Sequence, residues 1–174
     1  MINSDAIERH IISVLVDNEP GVLARVISLF SGRGYNIESL TVAEVDSQKH
    51  LSRISIVTTG TPMVIEQIKS QLARLVPIHS VCDLTEIGAS IERELALVKI
   101  INRGDDRIEA LRIADTFRAR TLDSTLESFV FEITGTSSKV AAFIDLMQSL
   151  GDVEISRTGV SAISRGNRID LSAK

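Results

Sequence analysis

The sequence has few aromatic residues, a single cysteine and no long apolar run, and each shortage excludes a class of protein. With 3% aromatic residues and no tryptophan, base-stacking surfaces for nucleic acid are not expected. The net charge of −4 provides no cationic surface for a phosphate backbone. One cysteine excludes a disulfide framework and a multi-thiolate metal site, and it is typical of the reducing cytoplasm. No segment approaches the roughly 18 apolar residues of a membrane span, so we expect neither a membrane nor a nucleic-acid partner.

The chain has 174 residues, 44% of them hydrophobic and 24% charged, which is typical of one ordinary globular domain or two small ones. In the first half, β-branched runs alternate with segments whose apolar residues recur every three or four positions. The predicted strands are His10 to Val16, Ile37 to Val45, Leu51 to Thr59 and Ile78 to Thr85. Two helices fall between them, one starting at Pro20 and closed by Gly32 and Gly34, the other starting at Thr61-Pro62. The order is that of a ferredoxin-like βαββαβ domain.

The same order recurs in the second half. The predicted strands are Leu95 to Ile101, Ala119 to Thr125, Phe129 to Thr134 and Val153 to Ile163. Helices with apolar faces run from Ile108 to Phe117 and from Val140 to Leu150. We therefore predict an α+β protein with two ferredoxin-like domains in tandem, residues 9–86 and 92–168, joined by a linker near residues 87–93.

Candidate catalytic and metal-ligating residues are scarce. His10, His50 and His79 have no cysteine or carboxylate at ligand spacing, and Cys82 has the setting of a core or half-buried thiol. Nothing assembles a nucleophile, a base and an orienting group. The sequence therefore predicts no catalytic residue, no metal site and no cofactor site.

The first strand–helix junction has more suggestive chemistry. Helical N–H groups near Gly21 lack partners and can donate to a carboxylate, while a residue without a Cβ lets a ligand approach closely. The amide oxygen of Asn18 is suited to a ligand ammonium group. Together these features fit a small α-amino acid. Spacing alone leaves open the simpler interpretation, in which Pro20-Gly21 begins a helix and Asn18 caps a turn.

Two stretches of sequence resemble a known family. Residues 18–26 read NEPGVLARV and residues 29–42 read LFSGRGYNIESLTV, similar to the ACT domain of the small, regulatory subunit of acetolactate synthase. GYNIESLTV is specific to that family, whereas N-x-x-G-x-L marks ACT domains in general. Further similarities extend the resemblance over residues 9–169, at Leu51-Ser52-Arg53, at Glu92 to Ile100, at Glu132 to Thr136 and at Ser164-Arg165-Gly166.

The resemblance implies regulation. Subunits of this family bind a catalytic large subunit, raise its activity and confer feedback inhibition by valine in branched-chain amino acid biosynthesis. Their ACT domains pair into a homodimer with effector sites at the interface. Carried over by position, the effector-binding residues are Asn18, Gly21, Val22, Leu23, Asn36 and Ile37. The cofactors thiamine diphosphate, Mg and FAD are expected in the catalytic subunit and not in this chain. Valine, leucine and isoleucine are not distinguished as effectors.

The second domain is expected to differ in function. Its junction reads Asn102-Arg103-Gly104-Asp105-Asp106, which places two carboxylates where a ligand carboxylate would bind. We therefore expect no amino acid there, and assign this domain to activation of the catalytic subunit.

Three other hypotheses weigh less. A free-standing ACT sensor of another enzyme is the principal alternative, but no enzyme or DNA-reading module accompanies the ACT pattern. A ferredoxin-like enzyme such as an acylphosphatase needs an arginine in the first loop, which here is acidic. RNA binding in this topology needs aromatic residues on the central strands, and His10 to Val16 and Leu51 to Thr59 have none.

Overall fold

A computed structural model describes residues 6–167 and 169, and the chain forms two compact units. Among the described residues, the first unit comprises the chain up to Ile91 together with the segment from Val160 onward. The second unit comprises Glu92–Gly159. Among the described residues, no helix is long and apolar enough to cross a membrane.

The first unit has the predicted ferredoxin-like order. Its elements are β1 (Glu8–Asp17), α1 (Val22–Arg33), β2 (Ser39–Asp46), β3 (Leu51–Gly60), α2 (Pro62–Leu72) and β4 (Ile78–Asp83). The four strands form an antiparallel sheet in the order β2-β3-β1-β4, so β2 and β4 are its edges. This arrangement confirms the predicted fold of the first half.

The central strand β1 explains the position of the core. All seven residues from His10 to Val16 are buried, because the sheet is covered on both faces. The two helices cover one face with a cluster that includes Ile12, Val14, Val26, Phe30, Ile54, Ile56, Ile65, Ile68 and Leu72. The opposite face holds a smaller cluster of Ile11, Val57, Leu84, Val160 and Ala162.

The end of the chain differs from the sequence prediction. A single strand from Val153 to Ile163 was expected, but there are two, β8 (Asp152–Arg157) and β9 (Ser161–Ser164). The break falls at Gly159, whose φ of 85° is left-handed and interrupts an extended strand. The described residues from Val160 onward belong to the first unit, so the expected second domain of residues 92–168 ends at Gly159.

The second unit repeats the order of the first. Its elements are β5 (Ser90–Ile101), α3 (Asp105–Thr116), β6 (Arg120–Ser124), β7 (Ser128–Gly135), α4 (Ser137–Gln148) and β8, with the strands in the order β6-β7-β5-β8. Its core contains Val98, Ile100, Phe129, Phe131, Val140, Phe143 and Met147. The linker predicted near residues 87–93 is shorter than expected, because β5 begins at Ser90 and the chain there is already extended.

Candidate functional site

The first strand–helix junction is open at the start of α1. The helix begins at Val22 and Gly21 is its N-cap, with a left-handed φ of 88°. The expectation that Pro20 is the first helical residue is therefore wrong, because the turn at Gly21 leaves Pro20 outside the helix. No side chain caps α1 and its first turn contains no acidic residue. The N–H of Val22 donates to the carbonyl of Glu19 at 3.4 Å, so the N–H groups of Leu23 and Ala24 are the ones left to bind an anion.

The space around Gly21 is also open. Gly21 is exposed, and an added Cβ would meet no atom within 4 Å. Val22 is 4% exposed and belongs to the core, whereas Leu23 is half-buried beside it. A carboxylate can therefore reach the N–H groups, with a small apolar surface from Leu23 nearby.

Asn18 is held in place just after β1. Its backbone N–H donates to the carbonyl of His50 at 2.7 Å, and its side-chain Nδ2 donates to Glu44 Oε1 at 3.1 Å. Because the amide nitrogen is engaged by Glu44, the amide oxygen is the atom left for a ligand N–H. The Glu44 carboxylate adds negative charge that favours an ammonium group at this end of the junction. Sequence reasoning missed Glu44, whose position depends on the register Glu44↔Ser52 between β2 and β3.

The residue before Asn18 is anchored as well. Asp17 Oδ1 lies 2.6 Å from His79 Nε2, and the Asp17 N–H donates to the carbonyl of Pro77 at 3.2 Å. These bonds tie the end of β1 to the start of β4. The backbone that precedes Asn18 is therefore held in place by hydrogen bonds.

The structure does not bring Asn36 and Ile37 to this junction within one chain. They follow Gly34, the C-cap of α1, whereas Gly21 is its N-cap. The 12 residues of α1 separate the two ends by about 18 Å. The strand register leads to the same conclusion. Ser39, which closely follows Ile37, pairs with Val57, and Val57 pairs with Ile11 on β1. Asp17, which precedes Asn18, lies at the other end of β1 and pairs with Leu51.

Asn36 itself is positioned for surface contacts. Its backbone carbonyl accepts a hydrogen bond from Thr58 Oγ1 at 2.6 Å, and the residue is exposed. Ile37 is half-buried against the core of the first unit. A ligand that touches both Gly21 and Asn36 must therefore lie between two copies of the chain.

The sequence predicts no cysteine or carboxylate at ligand spacing from the histidines, and here the structure differs. His10 Nδ1 lies 2.7 Å from Asp83 Oδ2, and Glu86 is close enough for the ligand atoms of the three residues to lie within 4.8 Å of one another. Long-range pairing of β1 with β4 creates this contact, which local spacing does not reveal. Asp83 Oδ1 also accepts from the backbone N–H of Thr85 at 2.9 Å.

The third member of this group, Glu86, forms an ion pair with Lys69. Glu86 Oε2 accepts from Lys69 Nζ at 2.6 Å. Burial lowers the pKa of Lys69, but its bonds to Glu66 and Glu86 outweigh burial and leave that pKa above the ordinary value. The carboxylates therefore already have internal partners, and we interpret the group as a structural cluster.

The second strand–helix junction has the predicted acidic character. Gly104 is the N-cap of α3, and Asp105 and Asp106 occupy its first turn. Asn102, which is 6% exposed, closes the loop by donating from Nδ2 to the carbonyl of Asp106 at 3.0 Å. The two carboxylates offset the positive end of the helix.

Comparison with known proteins links these features to one family. The model for the small subunit of acetolactate synthase matches residues 93–166, and that for the AHAS small subunit-like ACT domain matches residues 12–80. The chain is 46% identical to the probable acetolactate synthase small subunit of Archaeoglobus fulgidus over 160 residues, which are 92% of this chain and 99% of the relative. It is 46% identical to the acetolactate synthase isozyme 3 small subunit of Escherichia coli over 162 residues, 92% of this chain and 98% of the relative.

A solved structure agrees with the sequence comparisons. The acetolactate synthase small subunit of Thermotoga maritima superimposes with a TM-score of 0.82 at 40% identity, covering 92% of this chain and 99% of that one. The sequence identity and the similarity of fold each extend over 92% of this chain. The chain belongs to the family of acetolactate synthase small subunits, and its first unit is an ACT domain.

Proposed function

We propose that the chain is a regulatory subunit that binds the catalytic subunit of acetolactate synthase, raises its activity and makes it sensitive to valine. The feature on which this depends is the start of α1, where no side chain caps the helix and the first turn contains no acidic residue. Asn18 and Glu44 lie beside it with groups suited to an ammonium ion. An α-amino acid carries a carboxylate for the helical N–H groups and an ammonium group for Asn18 and Glu44. The regulated step would be in branched-chain amino acid biosynthesis, in the cytoplasm.

The effector site is proposed to lie between two copies of the first unit. Gly21 and Asn36 lie at opposite ends of α1, so one ligand reaches both only when a second copy supplies one of them. The edge strand β2 has an unpaired side in this sheet, and its Val42 and Val45 are 46% and 45% exposed. Pairing of two such edges would bury these valines and join the sheets. The α1 end and β2 of one copy would then lie near the junction of the other.

The chain is proposed to have no catalytic activity of its own. Thiamine diphosphate, Mg and FAD would belong to the catalytic subunit, and the second unit, with its acidic junction, would contribute to activation and not to effector binding. A free-standing ACT sensor of another enzyme is the alternative. Similarity to whole acetolactate synthase small subunits across both units favours the first proposal.

Reconstitution tests the proposal directly. The purified chain alone should not condense pyruvate to acetolactate. Added to the catalytic subunit of its own organism, it should raise the rate, and valine should then reduce it. Acetolactate formation that scales with the amount of the isolated chain would contradict the proposal, as would a catalytic subunit whose rate and valine response are unchanged by the chain.

A further inference from the structure

A groove between α1 and α2 remains unexplained by the effector site. It has a volume of about 580 Å³ and is lined by Ala24, Arg25, Ser28, Leu29, Arg33, Gln71, Arg74 and Leu75. Three of these eight residues are arginines and none is acidic. The groove therefore combines positive charge with apolar side chains.

The arginines of the groove have few internal partners. Arg25 donates from a guanidinium nitrogen to the carbonyl of Val76 at 2.9 Å, which holds this side chain at the groove wall. Among residues 6–167, none of the carboxylates forms an ion pair with Arg25, Arg33 or Arg74. Other exposed arginines do form such pairs, for example Arg112 with Glu109 at 2.5 Å. Uncompensated guanidinium groups are well suited to carboxylates or phosphates.

The groove also contains an unsatisfied acceptor. Gln71 Oε1 is buried and has no hydrogen-bond partner among the described residues. A carboxylate or phosphate cannot donate to this oxygen, but a peptide N–H can. An occupant reaches this buried oxygen only if the Gln71 side chain turns toward the groove, and it then needs an N–H donor besides its negative charge.

The spacing of the charges fits a polypeptide. Arg25 and Arg33 are eight residues apart on α1, which separates their positions by about 12 Å along the helix. Arg74 lies across the groove, just after α2. Separated carboxylates on one segment can meet separate arginines, while apolar side chains of that segment contact Ala24 and Leu75.

We propose that this groove binds an acidic, partly apolar segment of the catalytic subunit. The inference rests on the proposed function, which supplies the partner. The arginines provide charge complementarity, and the apolar residues provide contact area. The chain thus uses the two ends of α1 for its effector and the flank of the same helix for its target.

Charge reversal tests the proposal with a matched control. Arg33→Glu and Arg74→Glu each change an exposed groove residue, and Lys49→Glu makes the same charge change at an exposed loop residue of the same unit. Affinity for the catalytic subunit of the same organism is measured by titration in the absence of valine, with circular dichroism as a check on folding. Each groove reversal should weaken binding about tenfold and flatten its dependence on salt concentration, whereas Lys49→Glu should bind as the parent does.

The outcomes separate the two proposals. If the parent binds and activates the catalytic subunit but the groove reversals bind equally well, the groove assignment fails and the regulatory function stands. If the parent does not bind the catalytic subunit, both fail. Inorganic phosphate provides a further arm: binding of phosphate that is lost in Arg33→Glu and Arg74→Glu, with subunit affinity unchanged, would assign the groove to a free anion and overturn the proposal.

Discussion

The backbone N–H of Val160 donates to Ser39 Oγ at 2.7 Å, although 121 residues separate the two in sequence. Thr41 Oγ1 in turn donates to the carbonyl of Val160 at 3.2 Å. Two hydroxyl side chains of β2 thus satisfy both backbone groups of one residue near the end of the chain. Val160 itself is 2% exposed and packs with Ile11, Val57 and Leu84. The last described segment of the chain is therefore part of the core of the first unit.

Truncation of Val160 should destabilise the first unit. Val160→Ala removes two buried methyl groups, and we expect the free energy of unfolding to fall by about 2 kcal/mol. Urea unfolding at a fixed protein concentration measures this. The control is Val76→Ala, because Val76 is 78% exposed and its truncation should change stability by less than about 0.5 kcal/mol. Equal effects of the two changes would contradict the packing role of Val160.

Gly21→Asp should abolish the response to valine while activation of the catalytic subunit remains. The new carboxylate would occupy the helical N–H groups and repel the carboxylate of valine. Half-maximal inhibition should require about a hundredfold more valine, since like charges at close range cost several kcal/mol. Steady-state rates of the reconstituted enzyme provide the measurement.

The control for this change is Gly21→Asn. The left-handed φ of 88° strains both substitutions, and neither meets a steric clash because the space is open. Asparagine has the same size and backbone tolerance as aspartate but no charge, so Gly21→Asn should keep most of the valine response. Equal loss in the two variants would attribute the effect to the backbone and not to charge.

Mixing two defective variants should restore part of the valine binding. Gly21→Asp and Asn36→Ala each damage one half of a site whose halves lie at opposite ends of α1. In a mixed dimer one interface site combines the intact Asn36 of one copy with the intact Gly21 of the other. After random exchange, half of the dimers are mixed, and each mixed dimer has one intact site out of two. About a quarter of the parental valine sites should therefore be recovered. Calorimetry on co-refolded variants measures this, and no recovery would contradict an intersubunit site.

Valine should bind at one site per chain, and Gly21→Asp should remove all of it. The second junction carries Asp105 and Asp106 in the first turn of α3, so an incoming carboxylate meets like charge there. Titration calorimetry of the full chain gives the stoichiometry. Two sites per chain, or half of the heat remaining in Gly21→Asp, would mean that the structural repeat extends to effector binding.

Most of the fold was predictable from local patterns in the sequence. Apolar periodicity located the four helices α1 to α4 of the described residues, and glycine marked the end of α1 at Gly34. The predicted strand from Val153 failed for a physical reason: its apolar residues continue beyond Gly159, and only the left-handed turn there divides them. The continuously apolar β1 indicated a buried strand, but what covers its second face depends on a segment about 150 residues away.

The candidate site was predictable to a similar extent. Asn18, Gly21 and Asn36 came from motif positions, and the structure adds the open helix end at Gly21. Glu44 could not be found from sequence, because its contact with Asn18 depends on the register of two paired strands. The pairing of His10 with Asp83 has the same origin, since neither residue carries a local signal for the other.

The packing of Val160 and Ala162 in the core of the first unit has a consequence for the order in which the protein is made. Synthesis proceeds from the N-terminus, so every element of the first sheet leaves the ribosome well before Val160 and Ala162. Until then Ile11, Val57 and Leu84 have no cover from the chain end, and the nascent first unit presents an apolar face. That face is buried only when Val160 and Ala162 pack over the sheet.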